Sequence, residues 1–418
     1  MKSNLNEKDF VGKKFNGGIT FPTGFYAIGG HSGIKKSKKD LAIVYTIKSA
    51  KVGAVFTKNL VKAAPLKWNM MMLNQRNEFR AIIINSGNAN ACTGVIGDKN
   101  VELMAKTLAE CLEIPKESVL VASTGVIGVQ LPIEKICDGI KKFSKMLGNS
   151  NEESLKAAEA IMTTDTHPKQ VAIEFKIGGK NVRIGGMAKG AGMIHPNMAT
   201  MLAFITTDIN ISSELLQQAL TETVENSYNM ISVDGDTSTN DMVIIMANGM
   251  ASNKEIIDEN DDYYRIFKLA LNFVNKYLAV EIVKDGEGAS KLIIAIVKGA
   301  SSKRDAKLIS KAIVTSNLVK TAIYGEDPNW GRILAAMGYS GAKFDPSSIT
   351  IKFINGKNEV TVFDQGFPIS IGLNIIKEIM KSKEIIIEIN LKEGNEKAIA
   401  WGCDLTPEYV KINSQYTT

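Results

Sequence analysis

The segment KGAGMIHPNMATML, residues 189–202, constrains this chain most strongly, because it joins a glycine-rich approach to an apolar, strand-like run. Gly190 and Gly192 permit backbone conformations that are closed to residues with a Cβ, and Pro196 restricts its own φ and the residue before it. Backbone strain can be held in such a segment. Its local pattern fits either a loop that enters a strand at 201–206 or a point where the chain cuts itself.

Self-cleavage at this segment would create a nucleophile. If the bond between Ala199 and Thr200 breaks, Thr200 becomes an N-terminal residue, and its α-amine, with a reference pKa of ~8, lies beside its own hydroxyl as a base. Because Ala199 is small, the hydroxyl could approach the preceding carbonyl and shift the amide to an ester, which water then splits. Sequence spacing alone does not separate this hypothesis from the simple loop.

Motifs spread along nearly the whole chain resemble those of one protein family. Besides residues 189–202, they are GGITFPTGFYAIGGHSGIK (17–35), AVFTKNLVKAAP (54–65), INSGNANACTG (84–94), ASTGVIG (122–128), TTDT (163–166), SVDGDTSTND (232–241), DGEGASK (285–291), EDPNWGRI (326–333) and CDLTPEYVKINSQYTT (403–418). In this order they resemble the glutamate N-acetyltransferases of the ornithine acetyltransferase family, which are self-processing enzymes of arginine biosynthesis. So many ordered motifs are far more specific than any one of them.

The alternation of apolar patterns predicts a mixed α/β (α+β) fold. Strand-like runs occur at 41–46, 81–85, 119–122, 171–177, 199–206, 242–247 and 291–297, and helix-like runs at 98–111, 154–162, 212–230, 262–279 and 301–310. The resemblance implies a layered α/β/β/α sandwich of the ornithine acetyltransferase/aminopeptidase type with a smaller C-terminal α/β domain. The glycine-bearing region at 286–290 predicts the boundary, giving domains 1–285 and 286–418, whereas cleavage would give chains 1–199 and 200–418.

The segment VLVASTGVIG, residues 119–128, predicts a buried strand that runs into a glycine-bearing turn. A hydroxyl at Thr124 and a backbone N–H at Gly125 are suitable donors to a developing oxyanion, although a tight structural turn would have the same sequence. By resemblance to the family, Thr124 and Gly125 form the oxyanion hole.

The substrate site is expected to hold an amino acid. Lys189 suits a carboxylate and Glu287 suits an amine, while a solvated lysine and a turn glutamate are the alternatives. By resemblance, the substrate pocket is formed by Thr163, Lys189, Thr200, Glu287, Asn413 and Thr418. The C-terminus would then have to fold back into the site, whereas chain ends commonly fray.

The resemblance implies a two-step reaction. An acetyl group passes from N2-acetylornithine to Thr200 and from there to glutamate, without a metal or organic cofactor, and acetyl-CoA is a candidate second donor. The implied assembly is a heterotetramer of two α and two β chains. Two other functions remain open: an N-terminal-nucleophile amidase or aminopeptidase of related architecture, and an uncleaved protein that binds small molecules through its glycine loops.

Composition argues against several classes of protein. No apolar run reaches the ~18 residues of a membrane span and the N-terminus lacks the apolar core of a secretory signal, so a cytoplasmic protein is expected. The four cysteines form no CxxC pair, and the three histidines are dispersed, which argues against a metal centre. The net charge of +6 is not gathered into a dense basic tract, so no nucleic-acid partner is expected.

Overall fold

The computed structural model describes residues 12–195, 201–370 and 373–415, and the strands within these ranges form two sheets. The first sheet contains nine strands. They are β1 (Lys13–Phe15), β2 (Phe25–Gly30), β3 (Leu41–Phe56), β4 (Glu78–Asn88), β5 (Val119–Val126), β6 (Lys169–Ile177), β7 (Lys180–Lys189), β8 (Leu202–Thr207) and β10 (Met242–Ala247). The second sheet contains seven, namely β9 (Ile231–Ser232), β11 (Leu292–Ala300), β12 (Thr350–Ile354), β13 (Glu359–Asp364), β14 (Phe367–Pro368), β15 (Glu384–Asn390) and β16 (Glu396–Cys403).

Helices cover these sheets. Those that follow strands of the first sheet are α1 (Ala64–Gln75), α2 (Gly94–Leu112), α3 (Ile133–Phe143), α4 (Asn151–Ala160), α5 (Ser213–Glu225) and α6 (Asp262–Lys284). The later ones are α7 (Lys303–Thr315), α8 (Asn317–Tyr324), α9 (Trp330–Gly338), α10 (Leu373–Met380) and α11 (Pro407–Gln415). None of the helices in the described ranges combines the length and apolarity that crossing a bilayer requires.

Strand β3 joins two parts of the first sheet. Its first half pairs with β2 and β4, its second half pairs with β10, and the register shifts between Tyr45 and Ala50. Strands β8 and β10, which are parallel neighbours, are buried on both faces. Residues such as Ile205 pack in one core with α5 and α6, whereas Phe204 packs in the other core with β2 to β5. The predicted mixed α/β fold is confirmed.

Residues of the second sheet and of one face of the first sheet pack in the same hydrophobic core. Helix α6 contacts β6 and β7 on one side and β9 and β16 on the other, while α7 packs on β11 and β16. Strand β9 precedes α6 in sequence yet pairs in parallel with β16. The division at 285/286 stays a prediction.

The helix predicted at 212–230 begins as expected but ends early. Its N-cap is Ser212, whose hydroxyl accepts a hydrogen bond from the N–H of Leu215. The helix ends at Glu225 because Asn226 and Ser227 donate side-chain hydrogen bonds to carbonyls of the last turn, at 2.9 and 2.6 Å, and the chain turns there. In the strand predicted at 199–206, β8 begins at Leu202, while Ala199 and Thr200 lie outside the described residues.

Candidate active site

Strand β5 brings Thr124 and Gly125 to the wall of a cavity. The strand is parallel to β4, with Gly125 opposite Gly87. Gly125 has φ +132°, and a Cβ there would lie 2.3 Å from the carbonyl carbon of Gly87. Only glycine fits this close approach of two backbones. Thr124, which is 9% exposed, is therefore followed by a residue whose backbone carries no side chain.

A buried amide fixes the end of this strand. The side-chain nitrogen of Asn240 donates hydrogen bonds to the carbonyl of Ser123 at 2.8 Å and to that of Ala89 at 2.6 Å. The hydroxyl of Ser123 in turn donates to the side-chain oxygen of Asn85 at 2.6 Å. Because buried carbonyls are costly to leave unpaired, Asn240 determines where the chain can lie immediately before Thr124.

Thr163 and Gly190, the residue after Lys189 at the end of β7, are held by the same carboxylate. One oxygen of Asp165 accepts hydrogen bonds from the N–H of Gly190 and the ammonium of Lys169, both at 2.7 Å, and the other accepts from the N–H of Thr163 at 2.8 Å. Lys169 also pairs with the buried Asp285 at 2.5 Å. These charges are buried, and they tie the loop after α4 to the end of β7.

The buried charges act on one another. Burial alone would raise the pKa of Asp165, but the positive charges of Lys189 and Lys169 and the hydrogen bond from Gly190 hold that pKa below its ordinary value. Burial lowers the pKa of Lys189, and the negative charge of Asp165 opposes that shift. Within the described ranges the ammonium of Lys189 has neither a hydrogen bond nor an ion pair. Lys189 therefore offers a nearly dry positive charge to a ligand.

Glu287 and Asn413 meet on another wall of the cavity. Asn413 of α11 donates a hydrogen bond from its side-chain nitrogen to Glu287 at 2.8 Å. A Cβ at Gly192 would lie 2.4 Å from the carboxylate of Glu287, so a larger residue there would displace that carboxylate. The hydroxyl of Tyr409, also on α11, donates to Asp234 at 3.3 Å. The C-terminal helix thus reaches the site, as the prediction for Asn413 requires.

The cavity enclosed by these groups has a volume of about 280 Å³. It is lined by Thr124, Gly125, Ile127, Thr163, Thr164, Lys189, Gly192, Met193, Ile194, Met201, Leu202, Asp234, Asp236, Ser238, Thr239, Asn240, Asp241, Glu287, Tyr409 and Asn413. The structure thereby brings together six predicted site residues from distant parts of the chain, namely Thr124, Gly125, Thr163, Lys189, Glu287 and Asn413. The predicted residues Ala199, Thr200 and Thr418 lie outside the described residues, although Met201, which follows Thr200, lines the cavity.

Sequence reasoning did not assign the carboxylates of the SVDGDTSTND motif. Asp234 accepts hydrogen bonds from the N–H groups of Met193 and Ile194 at 2.6 and 2.8 Å, and so fixes the chain ahead of the predicted cleavage point. Burial raises the pKa of Asp234, and raises that of Asp241 well above its ordinary value. The motif was visible in the sequence, but its pattern assigned no role to any one of its residues. In the described residues no cluster of three His, Cys, Asp or Glu side chains is arranged to hold a metal ion.

The ArgJ family profile matches residues 26–418. The chain is 53% identical over 403 residues to the arginine biosynthesis bifunctional protein ArgJ of Caldanaerobacter subterraneus subsp. tengcongensis, covering 96% of this chain and 99% of that protein. It is 50% identical over 402 residues to the protein of the same name from Thermotoga neapolitana, covering 95% and 99%.

Two solved structures are also similar. A chain of arginine biosynthesis bifunctional protein ArgJ from Bacillus halodurans is 43% identical, with a TM-score of 0.48, over 51% of this chain and 98% of that one. A chain of ornithine acetyltransferase from Mycobacterium tuberculosis, solved in complex with ornithine, is 39% identical, with a TM-score of 0.42, over 45% of this chain and 100% of that one.

Proposed function

Because this chain belongs to the ArgJ family, it is an enzyme of arginine biosynthesis, a glutamate N-acetyltransferase, and we propose that it moves the acetyl group of N2-acetyl-L-ornithine to L-glutamate through an acetyl-Thr200 intermediate. The products are ornithine and N-acetylglutamate. The observation that carries this proposal is the convergence of six predicted site residues on one cavity, at the residue that follows Thr200.

The nucleophile of the proposed reaction arises by self-cleavage. The bond between Ala199 and Thr200 breaks, leaving chains 1–199 and 200–418. The chain ahead of this bond is held by Asp234 through Met193, whose φ of +57° is uncommon for a residue with a side chain. The new α-amine of Thr200 then serves as the base for its own hydroxyl.

Acetyl transfer follows in two steps. The Thr200 hydroxyl oxygen bonds to the acetyl carbon of N2-acetylornithine while the Thr200 α-amine takes its proton, and the hydroxyl of Thr124 and the N–H of Gly125 stabilise the oxyanion. The carbon–nitrogen bond breaks, the proton passes to the leaving nitrogen, and ornithine departs. The α-amine of glutamate attacks the acetyl ester and gives up a proton to the Thr200 amine. The bond between the acetyl carbon and the Thr200 oxygen then breaks, the Thr200 amine returns the proton to that oxygen, and N-acetylglutamate departs. Because the ester carries the acetyl group, neither a metal nor an organic cofactor is needed.

Charge and position support the proposed substrate contacts. Lys189, buried and without a partner in the described ranges, binds the α-carboxylate. Glu287, oriented by Asn413, binds the distant ammonium of ornithine. Thr163 and the C-terminal Thr418 complete the substrate contacts in this scheme.

The proposed enzyme works in the cytoplasm as a heterotetramer of two α and two β chains, with domains 1–285 and 286–418. Its partners are small molecules, with no nucleic acid and no membrane. Acetyl-CoA is a candidate second donor, which an assay with acetyl-CoA and glutamate as the two substrates decides.

The first test is the intact mass of the purified protein under denaturing conditions, with sequencing of any new N-terminus. We expect two chains, the second beginning TMLAFITTD, and a single uncut chain from Thr200→Ala. The kinetic test varies acetylornithine and glutamate together, and parallel double-reciprocal lines are expected. Intersecting lines would reject the acetyl-enzyme, and release of acetate at a comparable rate without glutamate would favour an amidase.

A further inference from the structure

Besides Lys189, the cavity holds a second buried titratable group that has an unpartnered atom. Asp241 is 3% exposed. Hydrogen bonding from Ser238 to its carboxyl group lowers the pKa of Asp241, against the larger effect of burial, but the Oδ2 atom is buried without a hydrogen bond to any described residue. A buried carboxylate oxygen without a donor is costly, and in native proteins such an atom calls for an explanation. A ligand that donates a hydrogen bond in the cavity would provide one.

The other carboxylates near the cavity are already engaged. Asp165 accepts hydrogen bonds from Thr163, Lys169 and Gly190. Both oxygens of Asp234 accept backbone N–H groups, and Glu287 accepts from Asn413. Asp236, at the rim, is exposed to water. Among the described residues that line the cavity, Asp241 is therefore the carboxylate with a buried, free oxygen.

The backbone of Asp241 is fixed beside the reacting groups. Its carbonyl accepts a hydrogen bond from the N–H of Thr57 at 3.0 Å, and the preceding residue, Asn240, clamps the end of β5. The following residue, Met242, donates its N–H to the carbonyl of Met201 at 3.0 Å. The backbone of Asp241 thus lies between the strand that carries Thr124 and the start of β8.

Asp241 and Lys189 together match the head group of an amino acid. Both line the cavity and attract each other electrostatically, yet they form no ion pair. Both pKa values are shifted by burial in the direction that disfavours the charged form. A ligand with a carboxylate and a nitrogen on one carbon would compensate both groups at once, because it would present an anion to Lys189 and an N–H donor to Asp241.

We propose that Oδ2 of Asp241 accepts a hydrogen bond from the α-nitrogen of the bound amino acid, while Lys189 binds its carboxylate. The inference rests on the proposed function. Acetylornithine, ornithine, glutamate and N-acetylglutamate all carry at least one N–H on the α-nitrogen, so this contact persists through both half-reactions. Asp241 thereby selects α-amino acids and orients the nitrogen that leaves or attacks.

The test compares two ligands that differ only in the α-amine. Calorimetry at neutral pH measures the dissociation constants of ornithine and of 5-aminopentanoate, which is ornithine without its α-amine. Because the α-ammonium of ornithine is charged, a hydrogen bond from it to Asp241 predicts that the wild-type protein binds ornithine about 10–100-fold more tightly. In Asp241→Asn, which keeps the shape but replaces one carboxyl oxygen by an NH2 group, the ratio should fall to about threefold or less. Asp236→Asn, a carboxylate lost at the rim, should keep the wild-type ratio.

Three outcomes overturn one of the two proposals. A wild-type ratio near one would reject the contact with the α-nitrogen, and this measurement needs no variant. An unchanged ratio in Asp241→Asn would show that another group binds the α-amine, and Asp241→Ser is read in the same way if the asparagine variant fails to fold. If wild-type protein binds 5-aminopentanoate and ornithine equally poorly, even at high ligand concentration, the proposed function itself is rejected.

Discussion

Asp165→Asn removes one charge from a buried group of four whose charges sum to zero, namely Asp165, Asp285, Lys169 and Lys189. The first two are within hydrogen-bonding distance of Lys169, at 2.7 and 2.5 Å. The substitution leaves Lys169 with one partner and Lys189 without its strongest opposing charge. Removing one member of a buried pair typically costs about 3–5 kcal/mol. We expect a loss of that size in the free energy of unfolding.

Thermal unfolding measures this loss. For a cooperative unit of ~150–250 residues, about 3–5 kcal/mol corresponds to a decrease in Tm of roughly 6–20 °C. The matched control is Asp138→Asn, whose side chain is 79% exposed and 3.6 Å from Lys141. Exposed pairs contribute about 1 kcal/mol or less, so its Tm should barely change. Equal Tm values for the two variants would refute the reasoning that the buried charges are tightly coupled.

The dependence of Tm on pH in acid gives a second measurement of the same substitution. The folded-state pKa of Asp165 lies below its unfolded value, so the folded protein binds the proton less readily. The stability that this carboxylate contributes is therefore present above about pH 4 and is lost as the pH falls towards the folded-state pKa. Asp165→Asn should flatten the dependence of Tm on pH below pH 4, relative to Asp138→Asn.

Three further predictions concern catalysis. Thr124→Ala should slow turnover by about 10²–10³ without changing Tm, as for the loss of one oxyanion donor, and an unaffected kcat would remove Thr124 from that role. Deleting residues 413–418 should abolish activity while circular dichroism and Tm remain near wild type, whereas retained activity would exclude the C-terminus from the pocket. Burial lowers the pKa of Lys189, so its ammonium loses a proton at a pH below the ordinary range of lysine. Because the charged form binds the carboxylate, KM for acetylornithine should rise with pH in that range, and Lys189→Arg should remove the rise.

Much of the site could be predicted from the sequence because its donors lie in local motifs. Thr124 and Gly125 stand at the end of an apolar run, and the pairing of Gly125 with Gly87 explains the glycine that the motif contains. For Glu287 the DGEG sequence left a turn glutamate as the alternative, and the resemblance to the family predicted its place in the pocket. What the pattern could not give is the contact between Glu287 and Asn413, because it joins the region after α6 to the C-terminal helix.

The sequence by itself determined the alternation of strands and helices, the glycines at close backbone approaches, and the family to which the chain is related. Those features depend on local sterics and on the periodicity of apolar residues. Only the tertiary structure decided that Asp165 holds both Thr163 and Gly190, the residue after Lys189, and that Asp241 lies in the cavity with a free oxygen. The pKa and the hydrogen bonds of a carboxylate depend on burial and on neighbours that are distant in the chain, and a linear pattern does not contain either.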